Sequence, residues 1–313
     1  MAAIATQPQN NTVQVQPKTS KVTDLVWVEV AKRQKLGAIA LPANYDAGNA
    51  LNLAWLKLQT AENKDHKPVY RDGALDTSVV TEVSVKNALL DYVIQGLNVA
   101  KNQCYFIVYG NQLLCQRSYF GDMAVAERVR PGITFFYDSI RSGEQLTLKK
   151  RWSKAGGFID HIEEHTTGFP RNDEVIGAYA GVMDNATGEL IGLTIFDIVR
   201  IKKSWNMSKL YNIADPSPAG THVKFPEEMA IRTVVRHLCK GIINASNDAE
   251  LLSAIQRQDN DAIEAEVAED AAQNANREVL QIPAPSTESK VHVIQSTGEI
   301  VGDSGNTQPE ADF

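Results

Sequence analysis

The chain has 313 residues, 43% of them hydrophobic, four tryptophans and a formal net charge of -7, enough apolar material for one large core or two ordinary ones. No apolar run approaches the roughly 18 to 20 residues that cross a bilayer, and the opening "MAAIATQPQNNTVQVQP" lacks the basic and apolar regions of a secretory signal, so a cytoplasmic setting is expected. Cys104, Cys115 and Cys239 are odd in number, have no CxxC spacing and sit in apolar surroundings, which reads as buried thiols and excludes a disulfide framework or a zinc site.

The charge is unevenly spread. Residues 259–313 hold twelve Asp and Glu against Arg277 and Lys290, so an acidic average hides a body near about +3. "IPAPSTES" and "STGEIVGDSGNTQPEADF" are poor in core formers and read as disordered, with one possible short polar helix before them. The first residues, rich in Gln, Asn and Thr, read likewise. The expected organisation is an arm over 1–22, a core over 23–255 and an acidic tail over 256–313.

Along the core, "DLVWVEVAKRQKLGAIALPANY" opens a mixture of helix and loop, and "GNALNLAWLKLQTAENK" continues with a short amphipathic helix. In "SVVTEVSVKNALLDYVIQGLNVA" the residues Val85, Leu89, Tyr92, Val93 and Leu97 recur at helical spacing and line one buried face, with Gly96 weakening the last turn. "CYFIVYGNQLLCQR" places Gly110-Asn111 between two apolar runs, predicting antiparallel strands over 104–109 and 112–117. "SYFGDMAVAERV" follows as a helix with Met123, Ala126 and Val129 inward. "EQLTLKKRW", "DEVIGAYAGVMD" and "ELIGLTIFD" read as strands, the last two joined through "NATG".

"IVRIKKSW" returns to helical spacing, and "FPEEMAIRTVVRHLCKGI" is the last core helix. Pro226 suits its first position, Glu227 and Glu228 the positive end of its dipole, and Lys240-Gly241 its close. Helices interrupting hairpin-connected strands make this an α+β fold, an antiparallel hairpin or meander sheet packed with helices and flanked by disordered termini.

No GxxxxGK[ST], strand-borne GxGxxG or GxSxG is present, which argues against P-loop hydrolysis of nucleotides. "HIEEH" formally matches HxxEH, with His161 and His165 as ligands and Glu164 as base, a metal-dependent nuclease or hydrolase in outline. Its surroundings, "GGFIDHIEEHTTGFP", read as a strand and its exit, where positions four apart lie about 13 Å from each other.

Three clusters are basic. "KKRWSK" and "RIKKSWNMSK" each interleave cations with one tryptophan, and Arg232, Arg236 and Lys240 recur every fourth residue, a stripe about 12 Å long. Cations along a line meet phosphates, and aromatic or guanidinium planes meet bases, so the combination suggests single-stranded nucleic acid. The blander reading is a solvated helix face, with Trp152 and Trp205 as core anchors that have cationic neighbours.

The order of the segments "SVKNALLDYVIQGLNVAKNQCYFIVYGNQLLCQRSYFGDMAVAERV", "DEVIGAYAGVMDNATGELIGLTIFDIVRIKKSW" and "FPEEMAIRTVVRHLCK" resembles the RecT family of phage and prophage single-strand annealing proteins. There, a helix ending in "GL" precedes a "YxVPYG" hairpin, a "GYRG" or "YFG" helix start, an "IGAYA" strand pair, a lysine-rich helix and a "W..EMAxKTxxRxL" helix. The resemblance implies annealing of complementary single strands without nucleotide hydrolysis or a required cofactor, with a divalent cation as modulator. It also implies rings or filaments of identical subunits whose basic groove holds the DNA backbone and leaves the bases free.

Partners implied are single-stranded DNA, the annealed duplex intermediate, a phage exonuclease and a host single-strand-binding protein, in a bacterial cytoplasm. Carried over by motif, Tyr119 and Phe120 stand at the helix start, Lys202 and Lys203 in the lysine-rich helix, and Arg232 and Arg236 in the last. Phe120 replaces a basic residue common in the family, with Arg117 nearby to supply charge, and Phe225-Pro226 replaces its tryptophan. Lys149, Lys150, Arg151, Trp205 and Lys209 complete the expected DNA-contact set. The remaining alternative is an RNA-binding oligomer without annealing activity. The tail is expected to limit nonspecific binding, to compete for the groove or to contact a host protein.

Overall fold

The computed structural model describes residues 21–152, 157–171, 173–207, 211–218 and 220–259. Residues 1–20 of the arm expected over 1–22, most of the acidic tail and Lys209 lie outside the described residues, and residues 21 and 22 of that arm begin the first helix.

Helix α1 (Lys21–Lys35) buries Val22, Val26 and Val30 at every fourth position and packs on α3. In α2 (Ala47–Leu58), Asp46 caps the start by accepting from the Asn49 N–H at 3.0 Å, and Ala50, Leu51, Ala54 and Leu58 face inward. A two-strand clip, β1 (Tyr70–Arg71) and β2 (Ala74–Leu75), leads to α3 (Glu82–Ile94), capped by Thr81. The five residues expected on its buried face, Val85, Leu89, Tyr92, Val93 and Leu97, are all fully buried.

Gly96 is the stop signal of α3 instead of a weak point within it. Its φ is +67°, and the Gly96 and Leu97 N–H groups donate to the Val93 and Tyr92 carbonyls, the paired bonds of a Schellman end. A Cβ at Gly96 would also meet Pro42 Cγ at 3.2 Å.

The predicted hairpin forms with the expected bounds, β3 (Cys104–Tyr109) and β4 (Gln112–Arg117), joined in register from Cys104↔Arg117 to Tyr109↔Gln112. Helix α4 (Tyr119–Val129) starts where Ser118 Oγ accepts from the Gly121 N–H at 3.2 Å and donates to the Asn102 carbonyl at 2.6 Å. Gly121 is obligatory here, because a Cβ would fall 2.1 Å from the Gln103 carbonyl oxygen. Ala126 is buried as expected; Met123 and Val129 only lean on the core, and Val125 is the fully buried residue.

The main sheet is three antiparallel strands in the order β5 (Ile133–Arg141), β8 (Val175–Asp184), β9 (Leu190–Asp197). The edge strand β5 was not anticipated from the sequence. Its register with β8 runs from Ile133↔Asp184 to Arg141↔Val175, and central β8 is buried over most of its length. "EQLTLKKRW" is indeed a strand, β6 (Gln145–Trp152), but its partner is β7 (Phe158–Thr166), and the two form a separate hairpin.

Helices α5 (Ile198–Met207), α6 (Thr221–Lys224) and α7 (Pro226–Ile243) complete the fold, with Pro226 in the first turn of α7 as expected. Ala230, Val234, Val235, Leu238 and Cys239 press α7 onto the sheet and α4. Residues 249–259 form a further helical stretch. Arg257 meets Asp91 at 2.6 Å and Glu250 meets Arg33 at 2.9 Å, so packing continues past residue 255 as far as Gln258, itself buried. The architecture is α+β. All three cysteines are buried and free. No helix among the described residues is long and apolar enough to cross a membrane.

Candidate nucleic-acid interface

Helix α7 carries the candidate site because its two faces differ in chemistry. With the apolar side spent on the core, Arg232, Arg236 and Lys240 fall on the wall of a cleft of about 540 Å³ between α7, the end of β4, α5 and the stretch 249–259. The lining includes Arg117 and the imidazoles of His222 and His237, against the carboxylates of Asp122 and Asp259. Arg232 is half-buried and has no hydrogen bond or ion pair among the described residues.

The cationic groups of the cleft act on one another's proton affinity. Burial, then the like charge of Arg236, lowers the pKa of Arg232. Burial, then Arg232, lowers that of His222; burial, then Arg200 and Lys240, lowers that of His237. Burial is the larger cause in each case, and the neighbouring cations act in the same direction.

Two residues expected to touch DNA instead build the floor. Arg117 is 6% exposed, and its guanidinium donates to Asp122 at 2.5 Å, to Gln95 at 2.6 Å and to Gln258 at 3.1 Å. Charge and donors are consumed internally, so its role here is to hold β4, α3, α4 and the last helical stretch together. Trp205 is 5% exposed. Its Nε1 donates to Thr233 Oγ1 at 2.9 Å, and its ring packs edge-on to Tyr211 and tilted on His222. It anchors α5 to α7, as the blander reading has it for this tryptophan but not for Trp152, which is 67% exposed. Asp122 joins floor to wall: its second oxygen lies 3.2 Å from Arg236 Nε, an ion pair without hydrogen-bond geometry.

The other expected contacts are dispersed. Lys202 lines an adjoining cleft that shares Trp205 and His222 with the first, a lining that also holds Asp173, Glu174, Glu227 and Glu228 beside Arg141 and Lys224. Lys203 is exposed on α5. Tyr119 and Phe120 stack at 4.1 Å between ring centres at the start of α4, Phe120 being 39% exposed, and Tyr119 also meets Tyr137 edge-on. Lys149, Lys150 and Arg151 lie on the β6–β7 hairpin facing Glu163, Asp160 and Glu163 at 3.3, 3.5 and 3.1 Å. Next to them Trp152 and Phe158, both about two-thirds exposed, pack edge to face at 5.2 Å.

The "HIEEH" segment lies on β7, a strand, as its Gly and β-branched flanks imply. The His165 side chain is 8% exposed and engaged, one ring nitrogen 3.2 Å from the Tyr179 hydroxyl and the other 3.1 Å from Glu144. His161 stands opposite Lys149 in the hairpin register. Among the described residues no three His, Cys, Asp or Glu side chains gather as a metal site would need.

Sequence reasoning counted Arg200 in a basic cluster without giving it a contact of its own, and passed over the two imidazoles. Arg200 stacks over Phe196 with its guanidinium carbon 3.6 Å from the ring centre, and Phe196 meets His237 at 4.9 Å, extending the basic wall onto α5. The available signal was the spacing of Phe196 and Arg200, four residues apart across the start of α5.

No curated protein matches the chain. The family model described as "RecT family" matches residues 55–274, a span that takes in α3, the β3–β4 hairpin, the sheet and the α7 cleft. By that match the chain belongs to the RecT family, and membership implies single-strand annealing in phage-type recombination.

Proposed function

We propose that the α7 cleft holds single-stranded DNA by its sugar-phosphate backbone and that this chain anneals complementary strands without hydrolysing ATP. Arg232 carries the reading: a half-buried guanidinium in a line with Arg236 and Lys240, with no carboxylate of its own among the described residues. Desolvated cations without partners cost free energy in the unliganded protein, and a polyanion offsets that cost. Contacts of this kind carry affinity but no sequence preference, so the bases are free to test complementarity. Pairing and stacking then drive annealing, and the protein concentrates and extends the strands.

Lys202, Lys203, Lys149, Lys150, Arg151, Tyr119 and Phe120 extend the contact surface in this proposal, with neighbouring identical subunits completing the groove in a ring or filament. A phage exonuclease and a host single-strand-binding protein are its expected partners, and no cofactor is required. The test uses the full chain: anisotropy of a labelled oligothymidylate across a salt series, and duplex formation from complementary oligonucleotides without ATP. Affinity should fall steeply with salt, and annealing should outpace the protein-free control. Salt-independent binding, equal preference for an oligoriboadenylate, or no acceleration of annealing would reject it.

A further inference from the structure

Beside the α7 cleft stands a group of aromatic rings that the fold leaves partly in water. Gln116, near the end of β4, lines the cleft, and its partner across the hairpin is Tyr105. Directly opposed residues of an antiparallel pair project to the same face, with Cβ atoms about 4.5 to 5.5 Å apart, so Tyr105 emerges at the cleft rim. Three residues beyond Gln116, α4 opens with Tyr119 and Phe120, their ring centres 4.1 Å apart and their planes inclined by 31°. Tyr119 in turn meets Tyr137 of β5 edge-on at 6.2 Å. Tyr105 is 50% exposed and Phe120 39%, whereas Tyr119 and Tyr137 are half-buried. Rings and cleft lie close enough to act on one another. Burial, then Tyr137 and Tyr105, raises the Tyr119 pKa, and Tyr105 joins Asp122 in countering the lowering that burial and Arg236 impose on Arg232.

We infer that Tyr105 and Phe120 form a stacking ledge for nucleobases, set beside the cations that hold the sugar-phosphate chain. Both rings leave apolar surface in water, and a base laid on one removes it. Phe120 is already held against Tyr119, so little side-chain freedom is lost on binding. Stacking engages the face of a base and leaves its pairing edge open, so a strand on the ledge can still meet its complement. It tolerates any sequence, because every base has a π face. In a duplex those faces are covered by neighbouring pairs, so the ledge selects unpaired strands where phosphate contacts alone would not.

The inference rests on the cleft being the DNA site, and its test separates the two. The probes are oligothymidylate and an abasic strand of the same length, which carries the same phosphates. The full chain should bind oligothymidylate about ten-fold tighter than the abasic strand. Tyr105→Leu with Phe120→Leu keeps apolar bulk and removes the ring planes. It should bind both probes at the abasic level with an unchanged salt slope, while Tyr105→Phe with Phe120→Tyr should retain the preference. Equal binding of the two probes by the parent, or a preference that survives in the leucine variant, overturns the ledge and leaves the cleft untouched. A preference lost only together with subunit assembly, followed by sedimentation, also overturns it and makes the rings a contact between copies. R232Q/R236Q should weaken both probes alike and reduce the salt slope; if it does neither while the leucine variant loses its preference, the cleft reading fails and the ledge stands.

Discussion

The α7 cleft and the β6–β7 hairpin are both basic and aromatic in sequence, yet they are different objects. On the hairpin each cation of "KKR" has a carboxylate across the strand pair, at 3.1 to 3.5 Å, and stands more than half exposed. In the cleft Arg232 is half-buried without such a partner among the described residues, while Arg236 shares its carboxylate with Arg117. Exposed pairs in water contribute little and exchange partners cheaply. Unneutralised cations in a concave wall project their field outward. Cation count along a sequence therefore says less than where the counter-charges stand.

Substitutions in and beneath the two regions put this contrast to the test. The largest effect is expected beneath the cleft: Arg117→Ala strands Asp122, Gln95 and Gln258, and should cost about 3 to 5 kcal/mol of stability by thermal or denaturant unfolding. A stable Arg117→Ala variant that has lost only DNA affinity would return Arg117 to the contact surface. Next comes R232Q/R236Q, which removes two cations without setting a carboxylate beside Asp122 and should weaken oligothymidylate binding on the order of 10-fold near 0.1 M salt and reduce the salt slope by about 1.4.

The root of the hairpin gives a pH test. Burial alone would raise the Glu144 carboxyl, but hydrogen bonds from Arg171, the Arg141 N–H and His165 outweigh it and hold the pKa at about 2. Because the folded value lies below the ordinary 4.5, this contribution to stability is complete above 4.5 and is lost as pH falls through about 2. Glu144→Gln should lower the unfolding temperature at neutral pH and flatten its decline in acid; an unchanged acid profile would deny the network that role.

In the cleft the sign is opposite for binding. His222 and His237 are held below 6.5 by burial and neighbouring cations, and a bound polyanion relieves that repulsion. Affinity should rise several-fold as pH falls below about 6.5, and substituting both histidines with alanine should remove the rise. Smallest of all, Lys150→Ala on the hairpin should change affinity by no more than about two-fold. A loss as large as that of the cleft variant would erase the distinction between the two regions.

Much of the scaffold was legible from residues. Apolar runs on either side of Gly110-Asn111 mark both hairpin strands, and Pro226, Glu227 and Glu228 with Lys240-Gly241 at the close mark α7. Strand β5, "ITFFYDSIR", was not legible. Its burial does not alternate, since it mixes half-buried positions along an edge, so period two is blurred. The stripe on α7 was visible as spacing. The fate of Arg117 was not, because its partners Gln95 and Gln258 lie 22 and 141 residues away and only folding brings them together. Trp205 misled for the same reason: cationic neighbours in sequence do not show that its ring faces Thr233, Tyr211 and His222.

Asp122 sits between two guanidiniums with unequal freedom. Arg117 is fixed on all sides, while Arg236 is 39% exposed and reaches the same carboxylate from the wall. Under the proposed reading, a phosphate that drew Arg236 away would leave Arg117 to neutralise the acid, with no stranded charge in the interior. Such a relay would let one surface arginine trade counter-ions with little reorganisation below it, as the proposed hand-over of a strand requires.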